Sequence, residues 1–472
     1  MQKLIEIIEE FISKNTFLFL FFFIFLIFKL LYQVPLLSDG GDEAGQWFLA
    51  LDIMNGEYGR LDSLHHNLRW ANWLPSILIG IFNDSYQGYY IFNFIRSSIG
   101  FLIFFYIISK SFSPLVSIVF LILIFFDHDL MHFYFELNPD MTAIFYLSLI
   151  FFFIYIKNDK SFEGINLFII ILLFFFLYGA KLPFIFFFLG FVIFILKLKG
   201  RKVFIKSIMY FIILYVIETS IFNFFNSDFS NLGRIYEIAF NKTVHINSMY
   251  DHFPDGMSLT YIFERWLVNR NSIAYILGIL MLCIIYGGKF KETKFLEKDI
   301  IKNLLFYLGL TFFICNTFFI ISINPFMMGQ EHHSRYVAQL IFFIFPFIIY
   351  LFRYLVINSK IIFFPFYVVI FILIFYPQFS YIYQFLNHGK ISNYKSISYQ
   401  LKKYDKYSKI VKSEKCFQSN KIEKASRLAV SLNYFERNNF NIFFDDEKWL
   451  AKKIGYEECK NYFILDEMYE NN

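Results

Sequence analysis

The sequence predicts a mainly α-helical, polytopic membrane protein of about eleven spanning helices, followed by a small α/β domain outside the membrane. Three observations carry that fold class. Only 17% of the 472 residues are charged and 57% are hydrophobic, where an ordinary soluble domain is roughly 25% charged. Phenylalanine alone supplies 71 residues, more apolar surface than a water-soluble core of this length hides. Apolar runs also alternate with short charged loops up to about residue 380, after which Phe and Ile thin out and Lys, Asn, Glu and Ser rise. Lipid is therefore the expected solvent for most of the chain.

The same composition excludes other classes. With 21 Gly and 10 Pro the chain is neither collagen-like nor low-complexity. Its four cysteines lack the spacing of a zinc ribbon or a disulfide scaffold. No repeat of fixed period is visible. The formal charge of +5 is small, and no nucleic-acid partner is expected.

The elements follow in order. An amphipathic stretch, Leu4–Ile12, precedes the first span, Thr16–Tyr32. No small-residue cleavage site follows that span, so it reads as an uncleaved helix rather than a signal peptide. Further spans are expected at 87–109, 112–126, 139–156, 165–179, 182–198, 204–225, 272–288, 303–322, 336–352 and 361–379. The pair around Lys181 reads either as two spans or as one kinked helix.

Loop charges set the orientation. With the N-terminus in the cytoplasm, every short loop on that side is basic: Lys110; Lys157 and Lys160; Lys197, Lys199, Arg201, Lys202 and Lys206; Lys289, Lys291, Lys294, Lys298 and Lys302; Arg353 and Lys360. The opposite side receives 38–86, 126–138, 226–270, 323–334 and the tail, which hold most acidic and histidine residues. Two domains result. Residues 1–380 form the membrane domain, with outer loops 38–86 and 226–270, and residues 381–472 form the extracytoplasmic α/β domain.

Within the tail, Ser408–Lys412, Asn441–Phe444 and Tyr462–Leu465 read as strands, and Ile422–Tyr434 and Lys448–Ile454 as helices. Cys416 and Cys459 are either a disulfide, in an oxidising compartment, or two free thiols. Cys283 and Cys315 sit in spans and read as packing residues.

Residues able to do chemistry gather in the outer loops. The first loop opens Ser38-Asp39-Gly40-Gly41-Asp42-Glu43-Ala44, and a helical-period run, Trp47, Leu51 and Met54, follows. This is either a hydrated loop with an interfacial helix or a carboxylate site at the membrane surface. The second loop carries Asp127-His128-Asp129, His132, Glu136 and Asn138-Pro139-Asp140. Asp140 gains from the helix dipole wherever it acts, and His128 and His132 have helical metal-ligand spacing without a third ligand.

Cations complete the set. Lys181 lies in the short Gly179–Pro183 turn, where an ammonium either snorkels to the interface or serves a function. Glu331-His332-His333-Ser334-Arg335-Tyr336 stands at the mouth of the tenth span, where Arg335 either marks a helix boundary or receives a phosphate. Arg96, inside the second span, requires a partner, and Glu218 in the seventh span is one candidate. No charged chain crosses the bilayer, which suits surface chemistry on a lipid-borne substrate better than transport.

In that order the motifs resemble the GT-C fold membrane glycosyltransferases, specifically the protein mannosyltransferase and aminoarabinose transferase-like branch. The likeness runs from about Phe17 to Phe352. Asp42-Glu43-Ala44 through Gly56-Glu57-Tyr58-Gly59 is similar to the branch's acidic motif and following helix. Arg96-Ser97-Ser98-Ile99-Gly100 resembles its arginine–serine–glycine signature, and Asn138-Pro139-Asp140 its second acidic site. Gly179-Ala180-Lys181-Leu182-Pro183 resembles its basic turn, and Arg335-Tyr336 its late arginine–tyrosine motif. One departure stands out: where the branch has paired prolines, this chain has His65-His66-Asn67-Leu68-Arg69-Trp70, with only Pro75 after it.

The resemblance implies a sugar donor on a polyprenyl phosphate and an inverting transfer to an acceptor hydroxyl, on a lipid, glycan or protein, at the outer face. Asp42 is then the expected base, because a single displacement requires a carboxylate to accept the acceptor's proton. Glu43 and Asp140 would orient the acceptor or hold a divalent metal, whose requirement is left open. Lys181 and Arg335, with His332 or His333, would stabilise the leaving lipid phosphate. His66, Arg69, Asp129 and Arg96 are expected in acceptor handling or in structure. The expected setting is a bacterial cytoplasmic membrane. A polymerase or ligase using lipid-linked oligosaccharide is the alternative, supported by Arg234, Arg265, Arg270, His245 and His252 in the large loop. A lipid-linked substrate flippase would instead need broken helices and charges paired at mid-membrane.

Overall fold

The computed structural model describes residues 15–32, 86–127, 134, 139–180, 182–224, 299–323, 339–358, 363–388, 416–419, 441–444, 448–452 and 463–464. These are almost entirely helical. In chain order they form α1 (Asn15–Tyr32), α2 (Tyr86–Ser111), α3 (Pro114–Phe125), α4 (Pro139–Lys157), α5 (Gly164–Ala180), α6 (Ile185–Lys199), α7 (Arg201–Phe224), α8 (Ile300–Ile323), α9 (Leu340–Asn358), α10 (Phe364–Ile374) and α11 (Tyr376–His388). The expected amphipathic stretch Leu4–Ile12 and the span 272–288 lie outside the described residues.

Among the described residues, four stretches are long and apolar enough to cross a membrane: Ile91–Ser111, Asp140–Phe162, Arg201–Ser220 and Leu340–Ile357. Shorter apolar helices cover Phe17–Phe28, Pro114–Phe125, Gly164–Ala180 and Ile300–Asn316. Surface composition agrees with lipid contact. On α7, Ile205, Met209, Ile212, Val216 and Ile217 are all about half exposed, an apolar face that water would penalise.

Local chemistry sets the helix ends. Ser113 caps α3, its hydroxyl accepting from the Val116 amide at 3.2 Å, and Pro114 takes the first helical position. Asp299 caps α8, its carboxylate accepting from the Ile301 and Lys302 amides. Gly200, at φ +80°, ends α6 in a backbone conformation that favours glycine. Between α5 and α6 the chain turns through a 3-10 segment, Leu182–Phe184, so the two are separate helices and not one kinked helix.

Two expected spans are corrected. The 112–126 span is the 12-residue α3, about 18 Å long at 1.5 Å per residue, short of a hydrocarbon core of about 30 Å. The 361–379 span is broken: α10 has 11 residues, and a 90° bend leads into Gln378–Asn387. Gln378 sits beyond that break, donating to the buried Asp127 carboxylate at 2.7 Å. A long-range bond of this kind is invisible to hydropathy.

The chain divides into two compact units, each described here by itself. In the first (Met1–Phe25, Ile99–His132 and Thr142–Gly389), the core is aromatic. Phe187 of α6 stacks on Phe312 of α8 at 4.1 Å and on Phe343 of α9 at 5.3 Å. Two glycines permit that approach. A Cβ on Gly190 would stand 2.9 Å from the Tyr307 carbonyl oxygen and 3.0 Å from the Leu308 Cα, and one on Gly309 would stand 2.7 Å from the Phe343 Cβ. Small residues allow apolar helices to pack backbone to backbone where no hydrophobic force drives them together.

Helices α5 and α6 form an antiparallel hairpin. Phe174 meets Phe188 and Phe191, whereas Phe162, before α5, meets Phe191 and Phe194. The basic helix ends of this unit lie together. Lys199 pairs with Asp159 at 2.7 Å. Lys302, bonded to Asp299 at 3.3 Å, stands over the rings of Phe112 and Tyr350. Tyr106, covered by Lys110, meets Tyr155 edge-on. The α5–α6 turn is at the other end of its hairpin from Lys199 and Asp159.

The second unit (Leu26–Ser98, Phe133–Met141 and Lys390–Asn472) includes a four-stranded sheet of β1 (Cys416–Ser419), β2 (Asn441–Phe444), β3 (Lys448–Lys452) and β4 (Phe463–Ile464) in the order β3-β2-β1-β4. β1 runs parallel to both β2 and β4, and β2 and β3 form an antiparallel pair. The strand expected at 441–444 coincides with β2, and that at 462–465 contains β4. Lys448–Ile454, expected as a helix, is instead strand β3, held by ladder pairing to β2. β1 was not expected; the strand expected at Ser408–Lys412 and the helix at Ile422–Tyr434 lie outside the described residues. Cys416 is disulfide-bonded, and Cys315 is a free thiol.

Candidate functional site

Helix α2 has two unlike faces. Ile91, Ile95 and Ile99, four residues apart, are 46%, 48% and 42% exposed and form an exposed apolar stripe. Asn93, Arg96, Ser97 and Gly100 follow the helical spacing i, i+3, i+4, i+7, and all four are buried. At the foot of this second face, a Cβ on Gly100 would lie 3.2 Å from the Phe145 Cα, so the polar face is turned into protein. An arginine 4% exposed on such a helix is costly unless polar groups surround it. Its guanidinium lies 5.9 Å from the centre of the Phe92 ring.

Two further buried polar residues, Tyr134 and Asp140, belong to the same unit. Tyr134, from the loop between α3 and α4, shares a 2.8 Å hydrogen bond with the Ser98 hydroxyl and packs edge-on against Phe94. It is wholly buried. Burial pushes its phenol well above the usual value, and the Ser98 bond offsets only part of that. The hydroxyl therefore keeps its proton at physiological pH. Asp140 is in the first turn of α4 and is 1% exposed, where the helix dipole favours its charge. A buried cation, a buried carboxylate and a tyrosine–serine pair thus belong to one compact unit.

Of the sequence-expected site residues, Arg96 and Asp140 are described. Asp42, Glu43, His66, Arg69, Asp129, Lys181, His332, His333 and Arg335 lie outside the described residues, as do His128 and His132. Ala180 and Leu182, which flank Lys181, bracket the turn of the α5–α6 hairpin. Glu218 is buried in α7 and belongs to the first unit. Asp127 is bound to Gln378 and anchors α11. Among the described residues no group of three or more His, Cys, Asp or Glu is placed to hold a metal ion.

Sequence reasoning passed over Asn93 and Tyr134. The signal for Asn93 was present, as polar and small residues at 93, 96, 97 and 100 in an otherwise apolar helix. No local signal marks Tyr134, whose partner is 36 residues away. No protein-family model, no curated protein and no solved structure matches the chain.

Proposed function

We propose that this chain is an inverting glycosyltransferase that moves a sugar from a polyprenyl-phosphate donor to an acceptor hydroxyl on the extracytoplasmic face of a bacterial cytoplasmic membrane. The observation that carries the reading is the buried polar face of α2, with Arg96, in the same unit as Asp140 and Tyr134. Ionisable groups held inside apolar helices are expensive and mark substrate sites, and a lipid phosphate reaches that depth without leaving the membrane.

The chemistry is a single displacement. The acceptor oxygen attacks the anomeric carbon, and its proton passes to the Asp42 carboxylate. The bond from that carbon to the phosphate oxygen breaks, and its electron pair leaves on the polyprenyl phosphate. Lys181 and Arg335, with His332 or His333, offset the charge that the leaving group gains. Glu43 and Asp140 orient the acceptor, and these carboxylates would hold a divalent metal if the reaction requires one. Apolar spans shelter the polyprenyl tail.

The test is transfer of radiolabelled sugar from polyprenyl-phosphate monosaccharides to mixed membrane acceptors by the purified protein. Label incorporation supports the reading. No transfer from any monosaccharide donor by folded protein sinks it and favours oligosaccharide donors. Lys181→Ala is expected to raise the KM for the donor by about ten-fold or more, consistent with loss of a charge-assisted phosphate contact, with little change in the KM for the acceptor. Equal loss on both substrates would remove Lys181 from the donor site.

The disulfide at Cys416 supports an oxidising location for the tail. With Cys315 free, its partner is Cys283 or Cys459. Cys459 precedes β4 by four residues, and β4 pairs with β1 at Phe417 and Phe463, which favours Cys459. Peptide mapping without reductant is expected to recover a Cys416–Cys459 cross-link; a Cys416–Cys283 peptide would reverse the assignment.

A further inference from the structure

We infer that the cationic first turns of α7 and the apolar face beyond them bind an anionic phospholipid, headgroup on the cations and acyl chain along the helix. Ile205, Met209, Ile212, Ile213, Val216 and Ile217 are each about half exposed. Arg201, Lys202 and Lys206 are exposed as well. Spacing puts both sets on one face. Lys202, Met209 and Val216 recur every seven residues, about two turns, as do Ile205 with Ile212 and Lys206 with Ile213. Phe211, on the opposite face, packs against Phe175 of α5 and Phe188 of α6, so the cationic and apolar face is turned outward. Arg201–Ser220 is 17% buried, against 56–61% for the other three long apolar stretches among the described residues. Of the four, α7 is the one whose surface most requires an outside partner.

Charge and hydrocarbon together identify that partner. Lys199, just before α7, is paired with Asp159, and Lys157 and Lys160 share the α4–α5 turn with Asp159 and Glu163. Arg201, Lys202 and Lys206 make no ion pair among the described residues. Beneath the Lys206 ammonium lies the Tyr210 ring, at 5.5 Å, a neutral partner that leaves its charge uncompensated. Cations clustered at the start of an apolar helix attract anionic headgroups. A soluble anion would occupy the cations and leave the isoleucines in water. From Lys206 to Val216 the face runs about 15 Å, half of a hydrocarbon core of about 30 Å. A phosphate followed by an acyl chain matches that order, whereas an acidic peptide matches the cations alone.

The experiment measures binding of phosphatidylglycerol to the full-length purified protein in detergent. Phosphatidylcholine with the same acyl chains and glycerol phosphate are the comparisons. Wild type should bind phosphatidylglycerol at least about ten-fold more tightly than either. Raising salt from about 50 to about 500 mM should weaken phosphatidylglycerol and leave phosphatidylcholine unchanged. Lys202→Gln with Lys206→Gln should lose phosphatidylglycerol about ten-fold. Lys157→Gln with Lys160→Gln, an equal change of charge in the mixed-sign turn, should lose no more than about two-fold. Lys202→Arg with Lys206→Arg keeps the charge and should bind as wild type does. Equal binding of the two phospholipids by wild type overturns the inference, as does a preference that salt leaves intact. These two arms decide by themselves if the glutamine protein misfolds. Equal losses from the two glutamine pairs also overturn it, by assigning the attraction to overall charge. Glycerol phosphate bound as tightly as phosphatidylglycerol overturns it in favour of a soluble anion. The inference is independent of the sugar-transfer reading, which none of these outcomes touches.

Discussion

Asp42→Asn is expected to abolish sugar transfer, lowering the rate by about 10²–10⁴-fold, the usual contribution of a general base. The substitution is nearly isosteric, so folding and membrane insertion should be unaffected. An asparagine still donates and accepts hydrogen bonds and can position an acceptor, but it cannot take the acceptor's proton at neutral pH. The loss should therefore fall on turnover, with donor binding retained. Transfer of labelled sugar by wild type and variant, each eluting as a monodisperse peak in detergent, makes the comparison. Equal rates would remove Asp42 as the base and turn attention to Glu43 or Asp140, whose carboxylates belong to the same proposed site.

The second large effect concerns stability. Gly190→Leu should destabilise the protein by roughly 2–4 kcal/mol, at or above the usual range for overpacking. The first atom of any side chain at this position meets backbone: the Tyr307 carbonyl oxygen at 2.9 Å and the Leu308 Cα at 3.0 Å. No rotamer change relieves a backbone contact, so α6 and α8 must separate. That separation also pulls apart Phe187 and Phe312, stacked at 4.1 Å with rings 4° from parallel. Thermal unfolding in detergent is the measurement. Leu189→Ala, at a position 40% exposed on the outside of the same helix, is the control and should change stability by no more than about 0.5 kcal/mol. Indistinguishable melting of Gly190→Leu and wild type would mean that the α6–α8 contact is looser than described.

How much of this was legible beforehand differs by feature. The apolar runs that became α2, α4 and α7 were plain, because a helix in lipid satisfies its own backbone and its signal is local composition. The basic character of the loops was legible too, and two of those lysines are ion-paired, Lys199 with Asp159 and Lys302 with Asp299. The break after α10 was missed because the apolar run to Tyr376 outweighed its one local signal, Pro377; beyond it Gln378 reaches Asp127, 251 positions earlier. Lys448–Lys452 resembled a helix for a related reason. A five-residue segment carries little periodicity, and its pairing with β2 decides its state.

The candidate site divides the same way. Arg96 and Asp140 stood out because charge in an apolar stretch is conspicuous by itself. Asn93 and Tyr134 did not, since a neutral polar residue is unremarkable until its burial and its partners are known. By itself the sequence determined the apolar character, the helical class and the kinds of residue available for chemistry, all properties of short windows of chain. Only the tertiary structure decided which helices are short or broken, where glycine lets two backbones meet, and which polar side chains are buried together. Those depend on contacts between residues far apart in the chain, and they form only where close packing and the burial of polar atoms are satisfied at once.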